Sequence, residues 1–136
     1  MADALAKDGA SRVPRRVLLV EDNEAASRSL ARLLRVYGFE VETACDGGSA
    51  LEALSGSPGP TFLLTDLGLP DLDGREVARH ARARFPSIKV IVITGWDVDQ
   101  ESAEWTKWGV DRVFTKPIDM DALLGLLDPQ QPVSGA

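Results

Sequence analysis

The sequence predicts an α/β fold in which five parallel strands form one doubly wound sheet, covered by helices on both faces. Two observations lead to this prediction. Short apolar runs alternate five times with segments whose apolar residues recur at helical spacing. These runs contain few polar residues, which is typical of strands that are buried on both faces. Because a helix separates each strand from the next, the crossovers are expected to be right-handed.

The first strand and the first helix are predicted near the start of the folded region. The segment Arg16-Val-Leu-Leu-Val20 is a short apolar run. Either Asp22 or Asn23 can cap the helix that follows, because both side chains accept hydrogen bonds from backbone amides of a first turn. Apolar residues at helical spacing continue this helix until Gly38, a residue type that commonly ends helices.

The second unit is shorter than the first. A strand is predicted at residues 39–44 and a short helix at residues 49–54. The segment Ser-Gly-Ser-Pro-Gly-Pro ends this helix, because glycine and proline both interrupt regular structure. The third apolar strand is predicted at residues 62–65.

The second half of the chain continues the alternation. A helix is predicted at residues 74–85, and the run at 88–94 is the most β-branched in the chain and therefore a strand. A helix from about Asp99 to Trp108 and a strand at residues 111–115 follow. The last helix, at residues 119–127, places Met and Leu side chains on one face.

Length and charge limit the class of protein. The chain has 136 residues, which suits one domain, and its net charge is −6. This acidic balance argues against direct nucleic-acid binding, which normally needs a basic surface. The apolar runs are too short to span a membrane and the first residues lack a secretory signal, so a cytoplasmic protein without membrane contact is expected.

Two further expectations come from composition. The single cysteine, Cys45, excludes an internal disulfide and a Cys-based zinc site, and it is expected to be a small buried residue. Residues 1–14 and 129–136 are small, polar or proline-rich, and are expected to form flexible tails around a domain at 15–128. This length leaves no room for an effector domain, so any output is expected to pass through a protein surface.

Charged and polar side chains lie at the ends of four predicted strands. Glu21 and Asp22 follow the first strand, Asp66 the third and Lys116 the fifth, and Thr94 ends the fourth. The carboxyl ends of parallel strands meet at one edge of the sheet, where α/β proteins bind ligands. Mg²⁺ prefers such carboxylates together with phosphate oxygens. A carboxylate beside this ion can attack a phosphoryl group and form an aspartyl phosphate, while the ammonium and hydroxyl groups stabilise the phosphoryl oxygens.

Four segments at these strand ends resemble the response-regulator receiver domain of two-component signalling. They are Val17-Leu-Leu-Val-Glu21-Asp22-Asn23, Leu64-Thr-Asp66-Leu-Gly-Leu-Pro70-Asp-Leu-Asp-Gly74, Ile93-Thr94-Gly95 and Phe114-Thr-Lys116-Pro117. The resemblance covers about residues 15–127. It implies a flavodoxin-like, three-layer α/β/α fold with five helices and strand order 2-1-3-4-5.

The resemblance also implies the chemistry of the site. Asp66 would accept a phosphoryl group from a phosphohistidine on a histidine kinase or a histidine phosphotransfer protein. Asp22, Asp66 and the backbone carbonyl of Gly68 would bind Mg²⁺ (or Mn²⁺) directly, and Glu21 would act mostly through water. Such a chain is a phosphorelay component and not an enzyme in the usual sense, because it catalyses only its own phosphorylation and dephosphorylation.

Other residues would assist this chemistry or regulate it. Lys116 would pair with Asp66 and later with the phosphoryl group, Thr94 would turn toward the phosphate, and the bond that precedes Pro117 would be cis. Gly68 and Trp96 occupy positions that influence dephosphorylation in the family. The bulk of Trp96 is expected to hinder attack by water and to lengthen the phosphoryl lifetime.

Some positions depart from the family's pattern or bear on its partners. Val113 occupies the position at which the family usually has an aromatic switch residue, so the usual coupling between the threonine and an aromatic ring is in doubt. Trp105 and Trp108 stand where small residues are expected, and they indicate either local repacking or an exposed aromatic partner surface. Arg28 lies on the first helix, where the family docks its phosphodonor. A downstream protein target and a homodimer formed on phosphorylation are further expectations.

Three alternative functions were weighed against this one. A haloacid-dehalogenase phosphatase needs a second Asp two residues after its nucleophile, but position 68 is Gly, and Asp71 and Asp73 fit a loop and a helix N-terminus. A flavin-binding flavodoxin needs a Ser/Thr/Gly-rich phosphate loop, whereas the acidic segment after the first strand would repel phosphate. A pseudo-receiver that only mediates protein contacts is the main alternative, although it would be expected to lose part of the acidic cluster or its lysine.

Overall fold

The computed structural model describes residues 15–128, in which five strands alternate with five helices. The strands are β1 (Arg16–Val20), β2 (Glu40–Ala44), β3 (Phe62–Asp66), β4 (Lys89–Thr94) and β5 (Arg112–Thr115). The helices are α1 (Glu24–Val36), α2 (Gly47–Leu54), α3 (Gly74–Arg84), α4 (Glu104–Lys107) and α5 (Met120–Leu127). The two segments predicted as flexible tails, residues 1–14 and 129–136, lie outside the described residues.

The five strands are parallel and form one sheet in the order β2-β1-β3-β4-β5. This topology confirms the predicted flavodoxin-like fold. The direction in which strands are added reverses between β1 and β3, which are hydrogen-bonded neighbours. The carboxyl ends of these two strands therefore border the switch point at which such sheets bind ligands. No helix within residues 15–128 has the length and apolar character that crossing a bilayer requires.

Apolar side chains of β1, β3, β4 and β5 alternate between two hydrophobic layers. In β1, Leu18 and Val20 belong to the layer formed with α2, α3 and α4, whereas Val17 and Leu19 belong to the layer formed with α1 and α5. All four are at most 2% exposed. Burial of each such side chain contributes roughly 1.5–3 kcal/mol to folding. This two-sided burial is the physical reason why the strand sequence is an unbroken apolar run.

Four helices begin at a side chain that accepts a hydrogen bond from the first turn. These N-caps are Asn23, Asp46, Asp73 and Asp119. Asn23 Oδ1 accepts from the amide of Ala26 at 2.9 Å, which decides the choice between Asp22 and Asn23 in favour of Asn23. At its end α1 turns into Gly38, whose φ of 94° is a left-handed conformation that glycine adopts without strain.

The predicted helix from Asp99 to Trp108 is wrong over its first half, because only Glu104–Lys107 is helical. The backbone carbonyl of Asp99 accepts the indole N–H of Trp105 at 2.8 Å. The side chain of Asp99 accepts the amide of Glu101 at 3.0 Å. Such bonds offer the backbone an alternative to helical pairing, so the chain forms turns before it forms a single turn of helix.

The expectation that Cys45 is buried is also wrong. Cys45 is exposed because it follows β2, which is an edge strand of the sheet. The residues of β2 are themselves largely exposed, with only Ala44 fully buried. The alternation of apolar and polar residues in Phe39-Glu-Val-Glu-Thr-Ala44 is therefore typical of an edge strand and not of a strand covered on both faces.

Candidate functional site

Three carboxylates meet at the carboxyl end of the sheet. Glu21 and Asp22 follow β1, and Asp66 is the last residue of the neighbouring strand β3. One carboxylate oxygen of each residue lies within 4.8 Å of the others. Glu21 is buried, Asp66 is half-buried and Asp22 is exposed. Together with Lys116, which follows β5, these residues form what we call the carboxylate rim.

Lys116 lies between two of these carboxylates. Its Nζ is 3.0 Å from Glu21 Oε1 and 3.2 Å from Asp66 Oδ2. Partial burial lowers the pKa of Lys116, but the hydrogen bonds to Glu21 and Asp66 outweigh it, so the pKa of Lys116 is raised above its ordinary value. The ammonium is therefore charged at neutral pH. The bond from Lys116 to Pro117 is cis, which is the isomer that the resemblance implied.

A glycine fixes the backbone around Asp66. A Cβ added to Gly74, the first residue of α3, would lie 2.2 Å from the backbone oxygen of Asp66. Only glycine allows this close approach. The amide of Gly74 donates to the carbonyl of Leu67 at 2.7 Å. On the other side, the amide of Gly68 lies 3.4 Å from Asp66 Oδ1. The carboxylate of Asp66 therefore has Lys116 at one oxygen and the Gly68 backbone at the other.

Thr94 links the ends of β4 and β5. Its side chain is buried, at 1% exposure, and its Oγ1 accepts the backbone amide of Trp96 at 3.0 Å. Its carbonyl accepts the backbone amide of Lys116 at 2.8 Å. In the sheet Asp66 is aligned with Ile93, so Thr94 lies one residue beyond Asp66 on the adjacent strand. A movement of Thr94 would thus be transmitted to the loop after β4.

Trp96 borders the same site from the loop after β4. Its side chain is 56% exposed. One edge of the indole lies against Gly68, because a Cβ added there would lie 2.9 Å from Trp96 Cζ2. A Cβ added to Gly95 would meet no heavy atom within 4 Å. The backbone beside Trp96 is therefore open on the side where Gly95 lies.

Trp105 and Trp108 are packed against the protein, which favours local repacking over an exposed aromatic surface. Trp105 is 9% exposed and belongs to the same hydrophobic layer as Val113, which is 6% exposed. The prediction that Trp105 lies on a partner surface is therefore wrong. Trp108 is half-buried, and the guanidinium carbons of Arg79 and Arg75 lie 4.7 Å and 5.6 Å from its ring centroid. We call residues 95–110, which contain all three tryptophans, the tryptophan loop.

Sequence reasoning missed the role of Asp71. Its carboxylate accepts the amides of Gly47 at 2.7 Å and of Gly48 at 2.9 Å, at the start of α2. These two backbone hydrogen bonds lower the pKa of Asp71 below its ordinary value. The pair of glycines that follows Asp46 was the available signal, because it marks amides that a nearby carboxylate can approach closely. Asp71 thus connects the loop after β3 to α2.

The exposed face of α1 also differs from expectation. Arg28 is exposed, as predicted for a helix surface. The end of the helix also exposes three large apolar side chains, Leu33, Val36 and Tyr37. Leu33 and Tyr37 stand at helical spacing with the other apolar residues of this segment, which predicts that they face the core. The buried residues of α1 are instead Ser27, Ala31 and Leu34.

Comparison with known proteins agrees with this geometry. Residues 17–128 match the response regulator receiver domain family. The response regulator MprA of Mycolicibacterium vanbaalenii is 34% identical over 91% of this chain and 55% of that protein. MprA of Mycobacterium ulcerans is 37% identical over 80% of this chain and 47% of that protein. The chain thus spans about half the length of these curated relatives.

Solved structures show the same fold. A CheY-like receiver domain protein from Methanospirillum hungatei has a TM-score of 0.76 at 29% identity, over 87% of this chain and 97% of that one. A Burkholderia pseudomallei response regulator, solved with a phosphorylated aspartic acid, calcium and citrate, has a TM-score of 0.75 at 27% identity, over 84% and 66%. The strand order, the carboxylate rim and these similarities lead to one conclusion: the chain belongs to the response regulator receiver domain family of two-component signalling.

Proposed function

We propose that Asp66 accepts a phosphoryl group from a phosphohistidine on a histidine kinase or a histidine phosphotransfer protein. The observation that carries this proposal is the position of Lys116 Nζ, which contacts both Glu21 and Asp66 within a cluster of three carboxylates. A structural ion pair needs one carboxylate, whereas a site for an incoming phosphoryl group needs a nucleophile and a separate cation. The phosphorylated aspartic acid in the Burkholderia pseudomallei relative supports the same chemistry.

The phosphoryl transfer is a substitution at phosphorus. A carboxylate oxygen of Asp66 forms a bond to phosphorus, the P–N bond of the donor breaks, and its electron pair returns to the ring nitrogen. Negative charge develops on the phosphoryl oxygens and needs a cation nearby. The ammonium of Lys116, which is charged at neutral pH, supplies this positive charge. To do so it leaves one of its carboxylate partners and contacts a phosphoryl oxygen. The hydroxyl of Thr94 can donate a further hydrogen bond once it leaves its present position.

The residues of the carboxylate rim fit a divalent cation. Asp22, Asp66 and the Gly68 carbonyl would hold Mg²⁺ or Mn²⁺ directly, and Glu21 would contribute through water. Hard oxygen ligands of this kind, within 4.8 Å of each other, are the set that Mg²⁺ prefers. The bound ion would supply charge neutralisation for the acidic cluster and for phosphoryl oxygens. Lys116 alone cannot neutralise three carboxylates.

Phosphorylation is proposed to switch a protein-interaction surface of the domain at residues 15–128. Thr94 is hydrogen-bonded to the amide of Trp96, so its movement toward a phosphoryl group would release the tryptophan loop. Val113 has no ring that could follow this movement, so the loop itself would carry the signal. Arg28 on α1 is proposed to contact the phosphodonor. A downstream protein target, a homodimer of the phosphorylated form and a cytoplasmic location complete the proposal.

Gly68 and Trp96 are proposed to control the lifetime of the phosphoryl group. The indole edge lies against Gly68, whose amide is 3.4 Å from Asp66 Oδ1, so the ring is proposed to cover part of the approach to Asp66. Replacement of Trp96 by Ala is expected to accelerate acyl-phosphate loss a few-fold, because water gains access to phosphorus. Timing the loss of the phosphoryl mass after removal of the donor measures this effect. An unchanged or slower loss would contradict the assigned role.

The phosphorylation itself is tested with a small donor. The full chain is incubated with acetyl phosphate and Mg²⁺, and its mass is recorded before and after treatment with base. Wild type is expected to gain one phosphoryl group that is stable in acid and labile in base, and Asp66→Asn is expected to gain none. If wild type gains nothing while it still binds Mg²⁺, the chain is a pseudo-receiver and the proposal is wrong.

A further inference from the structure

Trp96 has an exposed ring that the packing of the protein does not explain. Within residues 15–128, the large hydrophobic side chains that are exposed are Leu33, Val36, Tyr37 and Trp96. The first three lie on α1 or just after it, and Trp96 is the one that adjoins the carboxylate rim. Trp105 and Trp108, by contrast, are covered by the core or by arginine side chains. An exposed aromatic ring beside a reactive group is a candidate contact for a ligand.

The position of the indole relative to Asp66 is defined by three contacts. The backbone amide of Trp96 donates to Thr94 Oγ1. The ring atoms Cζ2 and Cη2 lie 2.9 Å and 3.2 Å from the place that a Cβ of Gly68 would occupy. The amide of Gly68 is 3.4 Å from Asp66 Oδ1, whereas Lys116 contacts Asp66 Oδ2. The indole therefore lies on the side of Asp66 that faces away from Lys116.

We propose that the indole of Trp96 contacts the imidazole ring that leaves when the phosphohistidine donor of the proposed function transfers its phosphoryl group. This inference rests on the proposed role of Asp66 as acceptor. When phosphorus approaches Asp66, the ring bonded to it lies farther out, at the level of the exposed side chains around the site. Trp96 presents an exposed aromatic ring beside the site, and a Cβ added to the neighbouring Gly95 would meet no heavy atom within 4 Å.

The chemistry of the step makes such a contact useful. The P–N bond breaks, its electron pair returns to the ring nitrogen, and the new O–P bond forms at Asp66. The imidazole must stay in line with the attacking oxygen while this happens. Two aromatic rings in edge-to-face or offset contact, with centroids roughly 4.5–7 Å apart, attract each other beyond their burial of area. A donor without a ring, such as an acyl phosphate, cannot make this contact.

Two donors that carry the same phosphoryl group distinguish a contact between Trp96 and the imidazole ring from an effect of the size of the Trp96 side chain. Rate constants for phosphorylation of the full chain with Mg²⁺ are measured with phosphoimidazole and with acetyl phosphate, and their ratio is compared between variants. Trp96→Leu keeps bulk without a ring, Trp96→Ala removes both, and Trp96→Phe keeps a ring. The ratio cancels any change in access that affects both donors equally. Melting temperatures verify that each variant is folded.

The expected result is a fall of the phosphoimidazole to acetyl phosphate ratio by roughly 3- to 10-fold in Trp96→Leu and Trp96→Ala. In Trp96→Phe the ratio is expected to stay close to that of wild type. An unchanged ratio in Trp96→Leu and Trp96→Ala, with both donors still reactive, overturns the inference and leaves the acceptor role of Asp66 intact. If wild type gains no phosphoryl group from either donor, the acceptor role is wrong and the inference is wrong with it.

Discussion

The carboxylate rim and the tryptophan loop meet at the carboxyl edge of the sheet, where the loop leaves β4, but they are built in different ways. Residues of the rim lie at strand ends, so the topology of the sheet alone brings them together. The tryptophan loop contains one turn of helix. Two hydrogen bonds at Asp99 determine its course: the indole of Trp105 donates to the Asp99 carbonyl, and the Asp99 carboxylate accepts the amide of Glu101. Backbone geometry therefore positions the residues of the rim, whereas a few individual side-chain contacts position the tryptophan loop. This difference makes distinct predictions for the two regions.

The largest effect is expected in the rim, from Lys116→Met. Without the ammonium, none of the side-chain cations within residues 15–128 is paired with Asp66, so the rate of phosphorylation by acetyl phosphate should fall on the order of 100-fold. The affinity for Mg²⁺ should rise, because the carboxylates lose their nearest positive charge. Phosphorylation rates by mass spectrometry and Mg²⁺ binding by calorimetry measure the two changes separately.

Lys107→Met is the matched control, because Lys107 pairs with Glu104 at 3.5 Å on the exposed surface of α4 and contacts none of the carboxylates of the rim in the ion pairs of the described residues. It should leave both quantities close to those of wild type. A Lys116→Met protein that is phosphorylated as fast as wild type would show that the ion pair with Asp66 is only structural.

The difference between residues at strand ends and residues in the tryptophan loop explains which features could be predicted from the sequence. Glu21, Asp66, Thr94 and Lys116 could be placed because each stands at the end of a run whose apolar character identifies it as a strand. The burial of Trp105 could not be predicted, because it depends on how the side chain packs in the hydrophobic layer that also contains Val113. Periodicity extended the fourth helix to Asp99 because it takes no account of side chains that bond to backbone groups.

One further prediction, the burial of Cys45, was wrong, and one contact, that of Asp71 with the start of α2, was missed. Cys45 was expected to be buried because of its residue type, although it follows β2, which the implied strand order already placed at the edge of the sheet. The contact of Asp71 with Gly47 and Gly48 joins segments 23 to 24 residues apart in the chain. Local patterns carry no information about such contacts, whereas strand ends are brought together by every parallel sheet.

A moderate effect is expected in the tryptophan loop, from Trp105→Phe. Phenylalanine keeps the aromatic packing but loses the hydrogen bond to the Asp99 carbonyl, which should lower the free energy of unfolding by about 1 kcal/mol. Urea unfolding measures this change, and amide exchange should quicken in residues 97–103. Trp108→Phe is the comparison, because arginine side chains cover its ring. Unchanged stability and exchange in Trp105→Phe would show that the indole bond does not hold the loop.

The smallest effect concerns Asp71, which connects the loop after β3 to α2. Because the folded pKa of Asp71 is lowered, its carboxylate stabilises the fold at pH values above its ordinary value of 3.8, and this contribution is lost as the pH falls through the folded pKa. Asp71→Asn should therefore lower the melting temperature slightly at pH 7. The difference from wild type should shrink below pH 3.8. A difference that is constant across this range would mean that ionisation of Asp71 plays no part.

The central claim is that Asp66, and no other carboxylate of the rim, accepts the phosphoryl group. After phosphorylation by acetyl phosphate with Mg²⁺, borohydride reduces an aspartyl phosphate to homoserine, and peptide sequencing by mass spectrometry then locates the reduced residue. Homoserine is expected at position 66 in wild type and nowhere in a protein that was not phosphorylated. Reduction at Asp22 or Glu21, or no reduced residue in a wild-type protein that binds Mg²⁺, would contradict the account.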